Sequence, residues 1–286
     1  MRALQATLSG IGGGVRYRRR VPELPEVETV RRGLEPVLLG RRFVDGGAHP
    51  SAKFAPATAV IDRTVAGVDR RGKYLLIGLD DGRRLVIHLG MTGQFRVHEH
   101  EPDDDPHVRA WWLLDDGRTL AFRDVRRFGR IAVVGEDVSA LPTLAALGPE
   151  PFDPAFTAEG LRDAVNRSQA RVKTQLLGQR VVAGVGNIYA DEALWRARVH
   201  PASRRITRPA AARLREAIID VLAEGIDHGG TTLRDYRTVE GGEGENQHRL
   251  DCYGRAGLPC SRCGTILRRS VIDGRGTTHC PTCQRR

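Results

Sequence analysis

Four cysteines near one end of the chain are spaced for metal binding: Cys260 and Cys263, then sixteen residues, then Cys280 and Cys283. Each Cys-x2-Cys turn brings two thiolates together, and the span between the pairs suits a β-hairpin, the arrangement of a tetrahedral zinc site. Two disulfides are the alternative, which a reducing cytosol disfavours. With all four positions filled by protein, one zinc ion here is structural and replaces a core that about forty residues cannot build. Cys252 lies outside the pattern and reads as a small, partly buried residue. Two other features bear on chemistry. Pro22-Glu23-Leu24-Pro25-Glu26 opens an amphipathic stretch, and on its own such a pair is a helix start. Only three lysines, Lys53, Lys73 and Lys173, stand among 45 basic residues. In an arginine-rich chain a retained lysine points to a need for a compact ammonium, which arginine does not replace geometrically.

The net charge of +10 implies a polyanionic partner, with a solvated basic surface as the competing reading. Five arginines sit in residues 1–20 without any acid, and residues 246–286 hold eight arginines and two aspartates, so the basic charge is concentrated at the ends. No apolar run is long enough to span a membrane, and residues 1–20 lack the apolar core of a signal peptide. The expectation is a soluble intracellular protein without a membrane partner, and no oligomerisation signal stands out, so a monomer is expected.

The length of 286 residues allows two modest domains. Residues 25–39 carry Val27, Val30, Leu34, Val37 and Leu38 at helical spacing. From about 43 to 135 the pattern turns to short strands, including Tyr74–Leu79, Arg84–Leu89, Val108–Leu114 and Arg130–Val134, with hairpin turns at Asp81-Gly82 and Asp116-Gly117. Residues 99–105 read as an acidic surface loop. Residues 141–156, with four prolines, read as a linker. Helical patterns follow at about 158–178, 188–198 and 208–228, the last with Leu214, Ile218, Ile219, Leu222 and Ile226 on one stripe.

Six stretches, in order, resemble the formamidopyrimidine-DNA glycosylase family. They are Pro22-Glu23-Leu24-Pro25-Glu26, Arg70-Arg71-Gly72-Lys73-Tyr74, His88-Leu89-Gly90-Met91-Thr92-Gly93, Arg126-Arg127-Phe128-Gly129, Gly184-Val185-Gly186-Asn187-Ile188-Tyr189-Ala190-Asp191-Glu192 and Tyr253-Gly254-Arg255, followed by the four cysteines. The resemblance covers nearly all of 22–286 and implies an α+β architecture. It would comprise a catalytic β-sandwich domain with one N-terminal helix (22–140), a helical domain with a helix-two-turn-helix (157–245) and a zinc-finger hairpin (246–286).

The implied activity is bifunctional: excision of oxidised purines from double-stranded DNA, then β,δ-elimination at the abasic site. The family's nucleophile is the amine of an N-terminal proline, here Pro22, with Glu23 as general acid/base. Lys73 faces the lesion, and Arg275 grips the flanking phosphates. Met91, Arg126 and Phe128 match residues that fill the space left by the flipped base; read without the family, Met91 and Phe128 are core candidates. Lys173 matches a DNA-facing lysine, Asn187 a phosphate contact where a helix cap is the alternative, and Tyr253 a DNA contact. Glu26 and Glu192 read as structural acids. A bacterial, nucleoid-associated location follows from the resemblance.

Three departures stand out. Val125 replaces a proline common before Arg126, and Gly244-Glu245-Asn246-Gln247 lacks an aromatic pair usual in the loop that closes over the base. The third is the position of Pro22, whose nitrogen is an amide here with its lone pair delocalised into the carbonyl. Residues 1–21 are therefore expected to be a mis-annotated extension, with Val21 read from an alternative start codon and removed. The competing readings are an oxidised-pyrimidine glycosylase of the same family and, if residues 1–21 are retained, an inactive zinc-dependent damaged-DNA-binding protein.

Overall fold

The computed structural model describes residues 21–99 and 104–286. The expected extension, apart from Val21, and part of the expected acidic loop lie outside the described residues. Helix α1 (Leu24–Leu38) has Pro25 in its first turn and buries Val27, Val30, Leu34 and Leu38, one stripe at helical spacing. Gly40, at φ +76°, follows it into the first strand.

Eight strands come next: β1 (Phe43–Ala48), β2 (Val65–Arg71), β3 (Tyr74–Leu79), β4 (Arg84–His88), β5 (Gly93–His98), β6 (Val108–Leu114), β7 (Thr119–Asp124) and β8 (Arg130–Val134). They form two antiparallel four-stranded sheets, ordered β1-β6-β7-β5 and β2-β3-β4-β8. Phe43, Phe95, Trp112 and Phe122 from the first sheet share one core with Leu75, Ile77, Leu85 and Ile87 from the second and with the stripe of α1. The second sheet is also covered behind: Leu76 and Val86 pack against Leu144 of the short helix α2 (Pro142–Ala145). Residues 141–156 are thus no loose linker; Leu144 and Phe156 are both buried. This double burial explains the near-continuous apolar run Tyr74–Leu79.

The second half holds α3 (Ala158–Asn166), α4 (Val172–Leu177), α5 (Asn187–Arg196) and α6 (Arg208–Asp227). The single helix expected at 158–178 is broken between Asn166 and Val172. Leu161, Val165, Val172 and Leu176 are all buried and keep a helical register across the break, so the pattern reads as continuous. Gln175 mends the gap: its Nε2 donates to the Val165 and Ala170 carbonyls at 3.1 and 2.8 Å. Leu24, the first residue of α1, sits in this second core and ties the two halves together. Strands β9 (Arg268–Ile272) and β10 (Arg275–His279) form a hairpin. Both residues of its turn, Asp273 and Gly274, have positive φ, as a two-residue hairpin turn requires. No helix among the described residues is long and apolar enough to cross a membrane.

Phe122 touches Phe54 and Phe95 at the centre of the sandwich. Phe122→Ala is expected to destabilise the fold by about 3–5 kcal/mol in urea denaturation, through lost burial and the cavity left behind.

Candidate functional site

Glu23 lies at the seam between the two halves and is 3% exposed. It occupies the N-cap position of α1, but its carboxylate serves another helix. Oε2 accepts the N–H groups of Gly186 and Tyr189 at 2.7 and 3.3 Å, and Oε1 accepts that of Ile188 at 2.8 Å. Helix α5, whose N-cap Gly186 has no side chain to offer, is therefore capped from α1, where the helix dipole favours an anion. The fit is tight: a Cβ on Gly186 would lie 2.2 Å from Glu23 Cδ. Burial raises the Glu23 carboxyl above its usual range, opposed by the charge of Lys73 and by the three N–H donors. Oε2 already accepts twice, so the free lone pair that can hold a proton is on Oε1.

Glu26 takes the backbone N–H of Glu23 at 2.8 Å, the Tyr189 hydroxyl at 2.9 Å and the Thr231 N–H at 2.7 Å. Burial, then the nearby Glu23, push its carboxyl up to about 7. Both acids face Lys73, which is 8% exposed; burial lowers the pKa of its ammonium, the two carboxylates oppose that, and Arg275 adds to it. Lys73 stands in the two-residue turn between β2 and β3. That turn hangs on Glu150, a residue the sequence reading passed over within its linker. Glu150 accepts from Arg70 at 2.7 Å, from Arg71 at 2.9 Å and from the Gly72 N–H at 2.6 Å. Arg70 and Arg71 thus orient the lysine through one shared carboxylate.

Lys173 departs from its expected place on a DNA-facing surface. Its side chain is 0% exposed, and all three ammonium donors are used: Asp191 at 2.6 Å, the Gly276 carbonyl at 3.0 Å and the Thr277 hydroxyl at 3.0 Å. Asp191 also accepts the Thr278 N–H at 2.9 Å. This buried pair fixes the strand that begins with Arg275. Arg275 itself is exposed, next to the hairpin turn whose Asp273 pairs with Arg171 at 2.6 Å and with the Thr174 hydroxyl. Asn187 opens α5 and donates to the Gly276 carbonyl at 3.1 Å, leaving its Oδ1 without a partner. The N–H groups of Gly186, Ile188 and Tyr189 are committed to Glu23, so a phosphate at this helix end would meet the side chain of Asn187 and not those amides. Tyr253 is mostly buried in the second core, and its N–H joins those of Asp251 and Cys252 on the Glu192 carboxylate. Cys252 is fully buried, beyond the partial burial expected, and its thiol donates to the Thr278 carbonyl.

The Sγ atoms of Cys260, Cys263, Cys280 and Cys283 all lie within 4.8 Å of one another. Four sulfurs at about 2.3 Å from a tetrahedral zinc stand about 3.8 Å apart, so the cluster fits one such ion. Trp195 at the end of α5 donates its indole N–H to Cys260 Sγ at 3.4 Å, and Arg262 stacks 3.8 Å over the same ring. The site holds one structural zinc ion, and its surroundings belong to α5 as much as to the hairpin.

Met91 and Phe128 sit on two loops that pack backbone to backbone. A Cβ on Gly90 would lie 2.4 Å from the main chain of Phe128 and Gly129. Met91 is half-buried, whereas Phe128 is 44% exposed with the Arg126 guanidinium 5.0 Å over its ring, so Phe128 is not a core residue. Asp124, fully buried, braces the second loop: it accepts the Thr92 hydroxyl and the N–H groups of Arg126 and Gly129 at 3.3 and 2.7 Å. Val125, where the family pattern has proline, is exposed and takes no part in this grip. In the Gly244–Gln247 segment, Asn246 donates to the Thr231 hydroxyl and Gln247 accepts the Thr232 N–H, both at 2.9 Å.

Comparison with known proteins gives three consecutive family matches. The formamidopyrimidine-DNA glycosylase N-terminal domain matches residues 21–131, the H2TH domain of the same glycosylase residues 147–237, and the zinc finger found in FPG and IleRS residues 257–286. The formamidopyrimidine-DNA glycosylase of Herpetosiphon aurantiacus is 46% identical over 276 residues, 92% of this chain and 100% of that protein. The crystal structure of MutM (FPG) from Thermus thermophilus superposes with a TM-score of 0.85 at 48% identity, over 92% of this chain and 98% of that one. A MutM in complex with DNA containing carbocyclic 8-oxo-G superposes with a TM-score of 0.85 at 34% identity, over 93% and 100%.

The buried acids carry a pH signature. Burial raises Glu192 from 4.5 to about 7, so the folded state binds its proton more tightly than the unfolded chain does. That contribution is complete below about 4.5 and is lost as pH rises through about 7. Wild-type stability in urea is expected to fall across that window, and Glu192→Gln to fall less steeply by up to ~3 kcal/mol. Parallel curves would show that Glu192 keeps an ordinary affinity for its proton.

Proposed function

The chain belongs to the formamidopyrimidine-DNA glycosylase family, and from that premise we propose that it excises oxidised purines, formamidopyrimidines and 8-oxoguanine, from double-stranded DNA and cleaves the abasic strand. The observation that carries this reading is the buried Glu23 carboxyl, held on the start of α5 immediately after Pro22 and facing Lys73. A base inside a duplex is out of reach, so it is flipped out first. The Pro22 nitrogen, as a free secondary amine, attacks the sugar C1′; the bond from C1′ to the base breaks, and the base leaves with the proton that the amine gives up. The proton on Glu23 Oε1 goes to the ring oxygen as the ring opens to an iminium. Loss of a C2′ proton then expels the 3′ phosphate, a further elimination expels the 5′ phosphate, and water releases the amine.

The other residues fall into place around this step. Lys73 directs its charge at the lesion nucleotide. Arg275 and the Asn187 side chain hold the phosphates beside it, with Lys173 and Asp191 fixing the strand of Arg275 from behind. Tyr253 lines the same face. Arg126 and Phe128 enter the stack from one side with Met91 beside them, offsetting the cost of unstacking. The partner is duplex DNA carrying an oxidised base or an abasic site, met by a monomer in the bacterial cytoplasm at the nucleoid.

This chemistry has one covalent requirement: Pro22 must be the first residue, because an acylated nitrogen cannot form an iminium. The active form therefore begins at Pro22. Supporting this, the family match starts at residue 21, and the Herpetosiphon aurantiacus protein is spanned in full by 92% of this chain.

Borohydride trapping on an 8-oxoguanine duplex tests the reading. A chain beginning at Pro22 is expected to form a covalent adduct and the chain retaining residues 1–21 none; no adduct from the former would overturn the proposal. Glu23→Gln in the Pro22-start chain is expected to lose base excision by about 10²-fold or more in single-turnover assays. Cys260→Ser is expected to weaken binding to the same duplex at matched salt, since the hairpin bearing Arg275 loses its zinc anchor.

A further inference from the structure

Lys53 is the one lysine the proposed reaction leaves without a part. It lies outside the six short stretches that carry the family resemblance, yet its Nζ donates to the Arg127 carbonyl at 2.9 Å. Arg127 is the middle residue of the loop that presents Arg126 and Phe128. It adopts φ +55°, the left-handed region that a side-chain-bearing residue enters only when its surroundings hold it there. The two groups around it are held from below, where Asp124 takes the N–H groups of Arg126 and Gly129. Asp124 accepts N–H groups and can serve no carbonyl of this loop; the Arg127 carbonyl is served by Lys53.

The lysine is itself placed with care. Its carbonyl accepts the Ile131 N–H at 2.8 Å, just beyond the loop, and the next residue, Phe54, is fully buried against Phe122. The backbone of Lys53 is therefore tied to the sheet and the core, while its ammonium reaches over the loop. The left-handed turn at Arg127 is what leaves Phe128 outward with the Arg126 guanidinium over its ring. A compact ammonium suits a single carbonyl better than a planar fork does.

We propose that Lys53 is a positioning residue for the wedge: by holding the Arg127 carbonyl it keeps Arg126 and Phe128 assembled for insertion before DNA arrives. This rests on the reading of Arg126 and Phe128 as the residues that enter the base stack. An exposed lysine beside a DNA-binding loop could instead contact a phosphate directly, and the two roles differ in their response to salt. A direct contact contributes about 0.9 to the slope of log affinity against log salt, whereas a positioning contact contributes nothing to it.

The test uses Lys53→Met, which keeps the aliphatic stem and removes the ammonium, in the chain beginning at Pro22. Binding is measured to a duplex holding a stable abasic-site analogue, with 2-aminopurine in the neighbouring pair to report unstacking, across a range of salt. The expected result is about three- to tenfold weaker binding at each salt concentration, a smaller fluorescence rise on binding, and an unchanged slope. A slope lower by about one with the fluorescence rise intact would make Lys53 a phosphate contact and overturn the proposal. Wild-type affinity and fluorescence in the variant would overturn it too. A wild-type protein that produced no unstacking at all would sink the wedge reading itself, which separates the two failures.

Discussion

The rest of the molecule is arranged around one hydrogen-bonded contact, the Glu23 carboxylate on the first N–H groups of α5. It joins the two halves of the chain at a point where neither has a side chain to spare. Helix α5 begins at a glycine that cannot cap it, and the glutamate at the N-cap of α1 lends its carboxylate to α5. The contact admits no slack. Gly186 must be glycine because a Cβ would collide with the carboxylate, and Gly184, at φ +83°, must be glycine because Leu24 packs against it. Since Pro22 precedes Glu23 directly, fixing the carboxylate also fixes where the Pro22 nitrogen can be. Removing this acid from water raises its proton affinity.

Helix α5 extends the same logic to the other end of the site. Its Asp191 holds Lys173 and the strand of Arg275, its Glu192 collects three consecutive N–H groups from the segment entering the zinc domain, and its Trp195 donates to a zinc-ligating thiol. A single helix thus sets the distance between the acid at Glu23 and the cation at Arg275. Burying these acids is costly, and Asp191 and Glu192 sit at about 6 and about 7 as a result. Each is nevertheless satisfied by backbone or ammonium donors, the condition under which buried charge is tolerated. Zinc is needed for the same reason as these acids: the terminal segment is too small to orient Arg275 through apolar packing alone.

Much of this was legible in the sequence. The strands from Tyr74 to Leu79 and from Val108 to Leu114, the stripe of α1 and the four cysteines followed from periodicity and spacing, since each is a local pattern. What remained hidden was non-local. Glu150 and Asp124 read as ordinary acids because their partners lie in other segments, Glu150 on Arg70 and Arg71, Asp124 on Thr92. The break after Asn166 was invisible because the apolar register continues through it. The resemblance implies a DNA-facing Lys173, but the packing of α5 against the hairpin turns its ammonium inward, a direction no local pattern encodes.

The two readings of Pro22-Glu23, a helix start and a catalytic pair, are not alternatives in the folded chain. Glu23 does stand at a helix start, and that place is compatible with the chemical role proposed for it. A carboxylate capping its own helix lies along the axis of that helix, near solvent and with an ordinary proton affinity. Capping a helix from the other half places it instead inside the seam, under Lys73 and beside Glu26, with one oxygen saturated and one left with a free lone pair. The same N–H groups that make α5 start there also oppose the rise in proton affinity that burial imposes. Glu23 occupies those amides, so under the proposed reading the groups this end of the site offers to a phosphate are the side chains of Asn187 and Arg275.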